Sequence, residues 1–81
     1  MNKEYDLVFV DLRTYKIEKL RVTGVSKEAV LRHFMVVGLA WDPVVLLNKS
    51  LSELTDMMKK DDCLVELYGT NNWRNNVQTS K

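Results

Sequence analysis

The chain has 81 residues, enough for one domain with a thin hydrophobic core and too few for two. Its 12 basic and 11 acidic side chains leave a net charge of +1, so no long-range field draws it to nucleic acid or to an acidic membrane. Hydrophobic residues make up 46% of it, which argues against wholesale disorder; a single cysteine rules out an internal disulfide, and apolar runs of at most four residues fall far short of a membrane-spanning helix. The opening residues, Met1-Asn2-Lys3-Glu4-Tyr5-Asp6, lack the apolar segment of an export signal, which together with the lone cysteine points to a reducing, cytoplasmic setting.

Residues 5–12 read as a strand whose Leu7, Val8, Phe9 and Val10 are apolar on both faces, the pattern of a central or well-covered strand. Asp11-Leu12-Arg13-Thr14 can turn tightly, with the Asp11 carboxylate bonding its own backbone. Residues 15–23 form the second strand. Tyr15 and Ile17 alternate with Lys16 and Glu18, and the apolar phase then slips by one at Lys19 so that Leu20 and Val22 carry it on. Such a slip predicts a β-bulge.

Thr23-Gly24 ends the hairpin, and Ser26 is placed to cap a helix, with Val25 and Val30 as a hydrophobic staple around it. Val30, Leu31, Phe34, Met35 and Val37 make a broad apolar stripe at helical spacing, while Glu28 and Arg32 stand four apart in the favourable order. Gly38 is the expected left-handed stop, with Leu39 folding back on Phe34. Two readings exist for residues 44–47. Asp42-Pro43 can start a helix, but paired β-branched residues and a capping box at Ser50 and Glu53 favour a short strand followed by a helix over residues 51–60. Asp61-Asp62 turns the chain into a last strand, residues 63–68, which a right-handed crossover would lay parallel to the short one.

The fold class is therefore α+β, a single small domain over residues 1–69 in the order ββα(β)αβ, with the helices on one face of a small sheet. Leu7, Phe9, Ile17, Leu31, Phe34, Leu54 and Val65 are the expected core. Residues 70–81 are a polar tail with four asparagines, read as flexible, in which Trp73 and Arg74 stand out.

No motif carries chemistry. His33 lies outside the apolar stripe with no carboxylate in helical register to orient it, so it reads as structural. Cys63 follows two aspartates and shares the phase of Val65 and Leu67, so it reads as a buried, unreactive thiol. One histidine and one cysteine 30 positions apart give no metal-ligand spacing, and Gly24, Gly38 and Gly69 are too scattered for a phosphate loop. No catalytic, metal or cofactor-binding residue is assigned. What remains is a small non-enzymatic protein that binds another protein: an inhibitor, adaptor or accessory regulator of the kind phages and mobile elements carry. Trp41, Trp73 and Arg74 are the candidate contacts, because tryptophan is enriched where interfaces carry most of their energy. The surplus of apolar residues and an open edge on the last strand also favour a homodimer. The alternative is a nucleic-acid-binding module built on Arg13, Lys16, Lys19 and Arg21 of the hairpin with Trp73 and Arg74 of the tail.

Overall fold

The computed structural model describes residues 2–70. Three strands form one sheet: β1 (Lys3–Asp11), β2 (Lys16–Gly24) and β3 (Cys63–Gly69), in the spatial order β2-β1-β3. Two helices, α1 (Lys27–Leu39) and α2 (Leu51–Lys60), lie between β2 and β3 in the chain. The α+β class, the hairpin, both helices and the last strand stand as the sequence predicts.

β1 is the central strand, antiparallel to both neighbours. Its odd residues face the helices. Tyr5, Leu7 and Phe9 are buried there with Val30, Leu31 and Met35 of α1, Leu54 and Met58 of α2, and Cys63 of β3. The Phe9 and Phe34 rings meet edge to face, with centroids 5.3 Å apart, an arrangement that adds to plain area burial.

Both helix starts are built from the predicted caps. The Ser26 hydroxyl accepts from the Ala29 amide at 3.1 Å. At α2 the capping box is complete: the Ser50 hydroxyl accepts from the Glu53 amide at 3.2 Å, and the Ser50 amide donates to the Glu53 carboxylate at 2.9 Å. The hairpin turn also forms as expected, with Asp11 Oδ1 accepting from the Arg13 amide at 2.9 Å. That turn is tied to the α2–β3 turn by a bond from the Leu12 amide to the Asp62 carbonyl, 2.9 Å.

Several expectations fail. The hairpin has no bulge: β1 and β2 pair without interruption from Lys3 opposite Gly24 to Asp11 opposite Lys16. The apparent slip is a change of face. Strict alternation puts Leu20 and Val22 on the helix side and Ile17 on the other, where it is 64% exposed instead of in the core. Val37 is likewise 70% exposed, because α1 turns its buried side through Leu31 and Met35. Val25 of the expected staple is exposed too.

The first helix does not stop at Gly38. It runs to Leu39, and Ala40 takes the left-handed C-cap conformation at φ 61°, its amide bonded to the Met35 carbonyl. Gly38 answers a different need, because a Cβ there would stand 3.2 Å from Cε1 of Phe34. Residues 44–47 are not a strand. Pro43–Leu46 form a 3₁₀ turn capped by Asp42, whose carboxylate accepts from the Val44 amide at 3.0 Å, so the Asp42-Pro43 reading prevails; Leu46 alone is buried. With no short strand to join, β3 pairs with β1 and runs antiparallel to it. Glu28 and Arg32 form no ion pair, and Arg32 Nη1 is buried without a hydrogen-bond partner among the described residues.

Thr70, at the head of the polar tail, is buried, and its hydroxyl donates to the Glu4 carbonyl at 3.3 Å.

Candidate functional site

Because both helices lie on one side, the other face of the sheet is left uncovered among the described residues. The register composes that face in cross-strand rows. Ile17, Val10 and Leu64 form the first, Lys19, Val8 and Glu66 the second, and Arg21, Asp6 and Tyr68 the third. The first row is wholly aliphatic, with Ile17 64% and Leu64 40% exposed on either side of Val10. The second sets a cation and a carboxylate on opposite flanks of Val8. In the third, Arg21 Nε pairs with Asp6 Oδ1 at 3.1 Å, while the Tyr68 hydroxyl donates to the Glu66 carboxylate. That bond pushes the Tyr68 phenol above its ordinary range, since ionising it would cost the donated proton and set two anions together. A hollow of about 740 Å³ opens here, lined by Val8, Lys19 and Tyr68 among others.

A second concavity, about 550 Å³, lies between β2 and α1. Leu20, Val22, Phe34 and Val37 supply much of its apolar lining, with Glu18, Thr23 and His33 as its polar members. His33 is exposed, as its position off the stripe implies, and Glu18 is held by Lys16 Nζ at 3.1 Å.

The four basic hairpin residues do not gather into one patch. Arg13 sits in the turn, 3.8 Å from both Asp11 and Asp61 carboxylates. Lys16 falls on the helix-side parity of β2, whereas Lys19 and Arg21 fall on the open face. Of the four, only Lys19 has no carboxylate within 4.0 Å among the described residues. Trp41 is half-buried, packs against the core and donates its amide to the Met35 carbonyl at 2.9 Å. Trp73 and Arg74 lie outside the described residues.

Cys63 is buried, and its thiol donates to the Asp61 carbonyl at 3.4 Å. Burial pushes its pKa up, and the carboxylates of Asp11 and Asp61 push it further against a partial offset from Arg13. A thiol so placed is a poor nucleophile. Among the described residues no three of His, Cys, Asp and Glu cluster as metal ligands, and no helix is long and apolar enough to cross a membrane.

Reading the sequence alone misses Val8, Val10, Ile17, Leu64, Glu66 and Tyr68 as a surface. Its one trace is the apolar run in β1, which signals a central strand but not that only one of its faces is covered. No protein-family model matches this chain, and neither does any curated protein or solved structure.

Proposed function

We propose that this chain is a non-enzymatic protein-interaction module, an inhibitor, adaptor or accessory regulator, that engages its partner through the open face of its sheet. One observation carries the reading: Val10, Ile17 and Leu64 form a continuous aliphatic row on a face that neither helix covers. Single exposed apolar side chains are ordinary, but contiguous apolar surface rimmed by charge is the usual mark of a docking face. The next row of the same face sets Lys19 and Glu66 on opposite flanks of Val8, so a partner meets an aliphatic row beside a cation and a carboxylate. The nucleic-acid alternative has less support, since Arg13, Lys16 and Arg21 each stand beside a carboxylate that competes with phosphate.

The test is affinity capture from the source cell with the full chain and with an Ile17→Ser, Leu64→Ser double variant. Both positions are exposed, so the fold should survive the change. A protein retained by the parent and lost from the variant supports the reading. Retention by both would overturn the assignment of the face. A nucleic-acid complex that weakens steeply with salt and ignores the double variant would replace it.

A further inference from the structure

Resting on that reading, we propose that the partner on the open face is a second copy of this chain, packed face to face about a two-fold axis that runs along β1. The charge pattern of the face selects this arrangement. An axis along the strands exchanges β2 with β3, so Ile17 lies over Leu64 of the second copy, Val10 over Val10, and Val8 over Val8. In the second row Lys19 comes over Glu66, twice by symmetry, and in the third Arg21 comes over the Tyr68 ring. Aligned packing of two twisted sheets has this geometry, with strand directions within about 30° of each other. Asp6, and Glu4 one row further along β1, are the acids this axis brings towards their own copies; Asp6 is met within its own chain by Arg21 at 3.1 Å, and the Glu4 carboxylate accepts from the Thr70 hydroxyl at 3.5 Å.

Two other two-fold arrangements bring like charges together. An axis across the strands, centred on the second row, puts Lys19 over Lys19, Glu66 over Glu66 and the aliphatic Val10 over Asp6. Edge-to-edge pairing of β2 with itself sets like charges opposite whichever residue from 18 to 21 lies at the centre. Glu18 meets Glu18, Lys19 meets Lys19, Lys19 meets Arg21, or Arg21 meets Arg21. Like charges directly opposite destabilise a strand pair. The face is thus self-complementary about the strand axis, as an isologous interface must be.

Three strands at about 4.8 Å spacing, over five residues at about 3.4 Å each, give a footprint of roughly 250 Å² per copy. That is well below the roughly 800 Å² per partner of a stable interface, so the dimer is weak and depends on concentration.

Sedimentation equilibrium of the full chain from about 10 μM to about 1 mM spans that range. The parent should pass from monomer to dimer, whereas Lys19→Glu and Glu66→Lys should each remain monomeric, since each homodimer would oppose two like-charged pairs. Mixing the two single variants should restore association. The two substituted side chains, now of opposite sign, then face each other in one half of the dimer, and the unaltered Glu66 of one copy lies over the unaltered Lys19 of the other in the second half. Circular dichroism of each variant confirms that it is folded. A parent monomeric at the highest concentration, or single variants that dimerise like the parent, would overturn the proposal. The broader reading is tested separately: a monomeric parent that still loses a captured protein on Ile17→Ser, Leu64→Ser would overturn the dimer and keep the docking face, with a different protein on it.

Discussion

Val30 fills the space that a side chain at Gly24 would need, with its Cγ2 2.5 Å from where a Cβ would stand. The contact locks the end of β2 against the first turn of α1, so the glycine serves close approach and not an unusual dihedral. Gly24→Ala should destabilise the fold by about 1–3 kcal/mol, because Val30 is buried and branched and cannot swing aside. Urea unfolding of the variant measures it, and an unchanged midpoint would show that this junction is looser than described.

Leu31 and Ile17 test the core from opposite sides. Leu31 is fully buried in the core, so Leu31→Ala should cost about 2–5 kcal/mol, a large share of what so small a domain has. Ile17→Ala should lie within about 0.5 kcal/mol of the parent in dilute solution. Equal losses at the two sites would contradict the register of β2.

The capping box makes stability depend on acid. The Ser50 amide and hydroxyl bonds, with a smaller contribution from Lys49, hold the Glu53 carboxyl below the ordinary glutamate range. A depressed pKa stabilises the fold above the unfolded value, near 4.3, and that contribution disappears as pH falls through the folded value. The stability gap between the parent and Glu53→Gln should therefore be widest near neutrality and close towards pH about 3. A gap independent of pH would mean that the charge plays no part in the cap. Ser50→Ala, which removes the other half of the box, should cost about 1 kcal/mol.

Cys63 has its pKa raised, so the sign is reversed. Its neutral form is favoured in the fold, the stabilisation is complete below the unfolded thiol value near 8.5, and it is lost as pH rises through the higher folded value. Alkylation by iodoacetamide at pH about 8 should be slow in the native protein and should accelerate in step with unfolding by urea. Fast native labelling would place the thiol at the surface.

What was legible in the sequence was local. Ser26, Ser50 with Glu53, and Asp11 declare their roles within three residues, and all three devices form. The errors arose where one residue type serves two ends. Gly38 looks like a helix stop but makes room for Phe34, while the left-handed cap falls to Ala40. Val44 and Val45 look like strand, yet Asp42 and Pro43 wind them into a 3₁₀ turn. The open face was beyond sequence reasoning for a different reason: its rows join residues such as Ile17 and Leu64, far apart in the chain and aligned only by the register of two strand pairs. An alternation rule that assumes one wet face turns an exposed Ile17 into a false bulge.

The strand order also governs how the chain is made. The centre of the sheet is the first strand synthesised, and one of its two flanks is the last. During translation β1 and β2 can pair at once, but the β3 side of β1 stays bare until residues 63–69 have left the ribosome. At about 5–20 residues per second, that interval lasts a few seconds. For that time an unpaired edge bearing Leu7 and Phe9 is open to any extended chain nearby. Completion of the domain is thus set by its final strand, and a nascent chain stalled before Cys63 is the species most in need of a chaperone.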